Sequence, residues 1–380
     1  MGTFDLDAPA YAPSLSWRRM RIMIVACVAG VAATIAMSLA QKPVAFDDTA
    51  VSASIALRDG MASVKKLRGR LGVPIDPALD PAGSGLIGVD YSDITTTLGS
   101  LTAKQTSLNP QFAGLMVMWL KQLGLRPGDK AALSLTGSFP ALNMAALYAC
   151  AALKLEPIIV SSVGASSYGA NIPNLTWLDI ESHLSRERLI PWRSQYASLG
   201  GIVETEGGLD GTGYWAGESA IERHGAEYLR EGGPEALERD IARRFSLYTS
   251  GQLPKVFINV GGAVTSLGWV PEAALLGNGP LSYVPSSNNP KRGLVFRMAE
   301  AGVPVIHLIN IERLAADFHL PIAPRLLSAE VDTARVRATH QFLLAAVLLA
   351  WLGLATAFVL RHFRARPRNE RFRKAPRKGG

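Results

Sequence analysis

The feature that most restricts what this chain can fold into is a recurring unit: a short apolar segment, a turn of small and hydroxylated residues, then a helical pattern. At residues 131–135 (AALSL) the apolar segment reads as a buried strand. It breaks at Thr136, Gly137 and Ser138 and restarts at Pro140, which suits a first helical turn, with an alanine- and leucine-rich helix over 141–153. In an open parallel sheet, ligands meet the chain at the carboxyl ends of strands, so Thr136, Gly137 and Ser138 mark the first place to look for function.

The unit returns. Residues 157–161 (PIIVS), 256–260 (VFINV) and 303–309 (VPVIHLI) read as further buried strands. Helical patterns fit at 175–189, 217–230, 234–247 and 291–301, with another at 311–318. Near-continuous apolar strands separated by helices imply an α/β fold, a mainly parallel sheet with helices on both faces. Ahead of the first strand, 86–90 reads as a strand or an extended entry and 92–110 is rich in hydroxyls. Asn109 and Pro110 cap a helix over 111–123 that Gly124 closes.

The ends set the topology. Residues 22–40 and 342–360 are uncharged apolar runs of 19 residues each. At roughly 1.5 Å per residue each reaches about 28 Å, close to a bilayer's hydrocarbon thickness. Two transmembrane helices flanking the α/β domain are expected, with a cleaved signal peptide as the alternative for the first run, since Arg18, Arg19 and Arg21 precede it. The tail 361–380 carries +8 and residues 1–21 carry +1 of a total of +8, so the chain between them is near −1. Both tails are therefore expected in the cytoplasm and the central part in the periplasm or outside the cell. The expected organisation is a tail (1–21), a span (22–40), a helical stalk and linker (41–85), an extracytoplasmic α/β domain (86–330), a juxtamembrane segment (331–341), a second span (342–360) and a basic cytoplasmic tail (361–380). The basic tail reads as a topology signal that also lies on anionic lipid, and a nucleic-acid surface on the main domain is not supported. Cys27 and Cys150 form no disulfide framework and no zinc knuckle.

Three strand ends carry small-residue turns, at 136–138, 161–167 and 259–266. If the strands are parallel these turns share one edge. Their backbone N–H groups and the hydroxyls of Ser138, Ser162 and Ser166 would suit a carboxylate or phosphate, joined by Thr136, Gly137, Asn143, Gly261, Gly262 and Lys104. The plainer reading is that small residues merely turn the chain tightly. No dinucleotide or phosphate-loop signature is present, and no cofactor or metal is expected. Nucleophilic catalysis would use Ser138, with Lys104 or His307 as base. However, the GxSxG elbow is absent, and a histidine inside an apolar strand is more often a core residue. Asp179, Glu181 and His183 stand at i, i+2, i+4, which does not place all three on one helix face, so capping or solvated roles are expected of them. The glycine-rich stretch 207–215 reads as a flap or a plain linker.

Three segments, ITTTLGSLTAKQTSLNP (94–110), LTGSFPALNMAAL (135–147) and IIVSSVGASSYGANIPNLTWLDIE (158–181), with INVGGAVTSLG (258–268) in support, resemble the poly-gamma-glutamate system proteins. The resemblance implies a membrane-anchored accessory component working beside the poly-gamma-glutamate ligase and the integral-membrane synthase subunits in synthesis and export of the polymer, at the bacterial inner membrane. It brings no settled activity and no catalytic residues. Together with the turns, it leads to the expectation of an extracytoplasmic domain that binds the anionic polymer or its chain end. A serine-type hydrolase or transferase acting on that polymer is the alternative.

Overall fold

A computed structural model describes residues 46–201, 209, 211–230 and 235–327, with Arg21, Val25, Ala29, Gly30, Trp351 and Gly353. The chain divides into two compact units, Pro43–Arg337 and the pair Met1–Lys42 with Ala338–Gly380. Among the described residues no helix is long and apolar enough to cross a membrane. Both apolar runs, and with them the two expected spans, lie almost wholly outside those residues. Within the smaller unit, Gly30 and Trp351 are side by side: a Cβ placed on Gly30 would collide with the Trp351 indole.

The larger unit begins with α1 (Asp48–Arg70), β1 (Thr95–Thr97), α2 (Leu101–Ser107) and α3 (Gln111–Gln122). Next come β2 (Lys130–Thr136), α4 (Pro140–Ala152), β3 (Glu156–Ser162), β4 (Ala165–Ser166), β5 (Asn171–Ile172), β6 (Leu175–Thr176) and α5 (Trp177–Arg186). Then follow β7 (Tyr196–Ser198), α6 (Gly211–His224), β8 (Glu227–Tyr228), α7 (Ala236–Thr249), β9 (Val256–Val260) and α8 (Val264–Leu267). The order closes with β10 (Gly279–Pro280), α9 (Leu294–Glu300), β11 (Val305–Leu308) and α10 (Ile311–Asp317).

The central sheet has the order β10-β11-β9-β2-β3-β7-β8. Every neighbouring pair is parallel except β10 with β11. The α/β expectation therefore holds, and the four strands read from the sequence form the middle of the sheet. Alternate side chains serve opposite faces, as the two-residue period of a strand requires. Leu133, Ile159, Ile258 and Ile306 enter one core, while Ala132, Val160, Phe257 and Val305 enter the other. Helices α7 and α9 complete the second core through Ile241, Tyr248, Leu294 and Met298. On the first face, α3 and α4 are covered in turn by α1.

That packing of α1 corrects the expected stalk. Its small and apolar residues Ala50, Ala53, Leu57, Met61, Val64 and Leu67 form one buried stripe within the main core. Gly60 brings the helix against Tyr148 of α4, where a Cβ would collide with the phenol hydroxyl. Arg68, also buried, donates to the carbonyls of Gly85 at 3.2 Å, Ile87 at 2.5 Å and Pro74 at 2.7 Å. The proline- and glycine-rich stretch after α1 is thus a loop stitched to the same body.

The strand order places a topological switch between β2 and β9. From β2 the chain proceeds outward through β3, β7 and β8, then returns to the other side of β2 for β9 and β11. At such a point the loops leaving neighbouring strands diverge to opposite faces and open a crevice at the carboxyl edge.

Candidate functional site

The crevice is present where the topology puts it. A cavity of about 220 Å³ is lined by Thr136, Ser138 and Phe139 after β2, Ser162, Gly164 and Ser166 after β3, and Gly262 and Ala263 after β9. A further wall comes from β1, which pairs with β4 in the turn after β3, and from the start of α2, through Thr96, Thr97, Ser100 and Lys104. Leu98, almost fully exposed, sits at its rim. Among the described residues, seven hydroxyl side chains and one lysine line the space, with no carboxylate.

The turns are held by contacts that only small residues permit. Gly137 donates to the Ser162 carbonyl at 3.1 Å, and Ala170 donates to the Gly137 carbonyl at 2.7 Å. A Cβ on Gly137 would stand 2.6 Å from the Val163 carbonyl oxygen, so the β2 and β3 turns lie backbone against backbone. Gly261 adopts φ +93°, the left-handed region, and a Cβ there would collide with Thr136 Oγ1. Thr136 Oγ1 is itself buried and has no hydrogen-bond partner.

Lys104 is the centre of the arrangement. It is only 3 % exposed, carried by α2, whose N-cap Ser100 accepts from the Ala103 N–H at 3.1 Å. Ser100 also donates to Glu312 at 2.7 Å, which ties α2 to α10. The Lys104 ammonium donates to the Ser138 carbonyl at 2.6 Å and meets Ser166 Oγ at 2.7 Å. It lies 3.6 Å from the centroid of the Phe139 ring, within cation–π range. No described carboxylate forms an ion pair with it. Burial without a counter-charge pushes its pKa down from the ordinary lysine value to about 7. The Ser166 main chain is fixed in turn, its N–H donating to Ser138 Oγ at 3.0 Å.

The residues expected from the sequence divide accordingly. Thr136, Ser138, Ser162, Ser166, Gly262 and Lys104 come together in one cavity. Gly137 and Gly261 shape it from behind. Asn143 does not line it: fully buried on α4, it donates from Nδ2 to the Thr136 carbonyl at 2.8 Å and anchors the end of β2. His307 does not line it either. It is buried on β11, where Asn259 Nδ2 donates to its Nδ1 at 2.9 Å and to the Gly261 carbonyl at 2.8 Å. Desolvation brings the imidazole pKa down to about 4, so His307 is a neutral brace for the β9 turn. Lys104 meets Ser166 Oγ, whereas Ser138 Oγ accepts from the Ser166 main chain; the serine hydroxyl beside Lys104 is therefore that of Ser166 and not Ser138. Sequence reasoning missed Thr96, Thr97, Ser100 and Phe139. The density of hydroxyls in 92–110 was the only signal for Thr96, Thr97 and Ser100, and Phe139 had none beyond following the β2 turn.

Asp179 closes a capping box with Thr176 at the start of α5. Glu181 is buried away from the cavity, accepting from Ser194 N at 2.8 Å, Ser194 Oγ at 2.9 Å and His224 Nε2 at 2.7 Å. Of the glycine-rich stretch 207–215, Gly207, Gly208 and Asp210 lie outside the described residues, and Gly211 already begins α6.

No protein-family model matches this chain, and no curated protein matches it. Among solved structures, the cysteine desulfurase CsdA from Escherichia coli aligns at 14 % identity over 52 % of this chain, with a TM-score of 0.13. The match spans 45 % of that protein's length, and it carries no argument about fold or activity.

Proposed function

We propose that this protein is a membrane-anchored accessory subunit of a poly-gamma-glutamate synthesis and export system, whose α/β domain holds the anionic polymer or its chain end in the cavity at the β2/β9 switch. The observation that carries this reading is the composition of that cavity: among the described residues, one buried lysine surrounded by hydroxyls and turn backbone, with no acid in the lining and no carboxylate paired with it. A carboxylate entering it would supply a counter-charge for Lys104. Each repeat of a poly-gamma-glutamate chain offers one carboxylate and one amide, which suits a site of mixed hydroxyl and cationic character. The two apolar runs would anchor the domain outside the cytoplasm. The basic tail would meet anionic lipid or the cytoplasmic ligase, and the integral-membrane synthase subunits would lie beside the spans.

Binding of poly-gamma-glutamate to the full-length protein tests this. Saturable binding is expected for the polymer and not for its neutral methyl ester. Lys104→Met should weaken it at least about tenfold, the loss of one charge-assisted contact, while Lys104→Arg should retain most of it. Equal binding of polymer and ester would overturn the reading.

A further inference from the structure

We infer that Ser166 and Lys104 form a nucleophile and base pair, and that the cavity carries out acyl transfer on an amide- or ester-linked chain through a Ser166 acyl-enzyme. The choice of substrate class rests on the polymer reading above; the pair itself does not.

The geometry is that of an activated serine. Ser166 Oγ lies 2.7 Å from Lys104 Nζ, and both side chains are buried in the wall of the same cavity. A neutral amine has two hydrogens and one lone pair. One hydrogen is taken by the Ser138 carbonyl at 2.6 Å, and the Phe139 ring face, 3.6 Å away at its centroid, offers a weak acceptor for the other. The lone pair is then left for the Ser166 hydroxyl proton. Burial supplies that neutral form near physiological pH, as a general base requires. The nucleophile's backbone is held by Ser138 Oγ at 3.0 Å. Nothing comparable surrounds Ser138, whose hydroxyl is occupied in that support.

The reaction balances without a cofactor. Ser166 Oγ attacks the carbonyl carbon as Lys104 takes the hydroxyl proton. The C–N bond, or the C–O bond of an ester, then breaks while the Lys104 ammonium returns the proton to the leaving amine or alcohol. Water, or the amine of an acceptor chain, next attacks the Ser166 ester with Lys104 again as base, releasing the acyl group and restoring the serine. A substrate carboxylate paired with Lys104 keeps it protonated, so attack proceeds from molecules in which Lys104 is neutral and unpaired. Binding by a charged Lys104 and attack assisted by a neutral one therefore depend on pH in opposite directions.

The full-length protein treated with a biotinylated fluorophosphonate tests the pair, the serine oxygen displacing fluoride from phosphorus. One adduct is expected, located at Ser166 by peptide mass, with a rate that rises with pH through about 7. Ser166→Ala should abolish it. Lys104→Arg, which keeps the positive charge but cannot accept a proton, should slow labelling at least about 100-fold. Shortening of poly-gamma-glutamate, lost in Ser166→Ala, is the matching activity. No labelling at Ser166 above that of other serines, or labelling indifferent to pH and to Lys104→Arg, overturns the inference; polymer binding measured on the same samples shows whether the binding reading falls with it. The wild-type pH profile does not depend on any variant folding.

Discussion

Lys104 is the residue whose state the rest of the site sets. Its pKa of about 7 in the folded protein lies below the ordinary lysine value of 10.5, so between these limits the unfolded chain holds a proton that the folded one does not. Stability should therefore rise with pH across that window and be least below pH 7. Thermal melting of wild type and Lys104→Met from pH 6 to pH 10 checks this: the wild-type melting temperature is expected to climb relative to a variant with a flatter profile. His307 acts in the same sense at lower pH. Its pKa falls from 6.5 to about 4 on folding, so its neutral form supports the fold above pH 6.5 and that support is lost as pH falls through 4. His307→Gln should flatten the acid limb of the stability curve. Neither shift was visible in the sequence, because each comes from neighbours brought in by folding. Ser166 is 62 positions from Lys104, and no local spacing could have paired them.

At the scale of elements, the legible parts were those whose signal is local. Strands β2, β3, β9 and β11 are buried on both faces and so nearly continuous in apolar residues, and their turns were recognisable by small residues alone. Strands β7, β8 and β10 are two or three residues long at the sheet's margins, too short to show a period. Helix α2 was hidden because hydroxyls and Lys104 fill a seven-residue segment with little apolar stripe. Helix α1 was misplaced for a different reason: its buried face is built from Ala50, Ala53, Ser54 and Gly60 as much as from Leu57 and Met61, so its charged face dominated the reading. Its true place predicts that Leu57→Ala destabilises the α/β unit by about 2–5 kcal/mol in chemical denaturation, whereas a detached stalk would leave the main transition unchanged. The turn after β2 makes a sharper demand. Gly137→Ala forces a Cβ against the Val163 carbonyl and should cost about 1–3 kcal/mol, with polymer binding reduced as the Ser138 carbonyl shifts away from Lys104.

For the whole molecule, one topological fact gathers the site. A doubly wound sheet that reverses between β2 and β9 must leave a crevice at that edge, and three of its strands deliver small hydroxylated turns there. The fourth wall, from β1 and α2, brings in the lysine, and with it the one feature that distinguishes a site from a set of tight turns. We propose that this buried lysine receives the carboxylate of a polymer. The most direct measurement is poly-gamma-glutamate affinity for the full-length protein at pH 6 and pH 9, on either side of the Lys104 pKa of about 7. Affinity is predicted to fall at least about tenfold toward pH 9 in wild type, and to be weak and flat in Lys104→Met. Affinity that is strong and independent of pH in both proteins would contradict it.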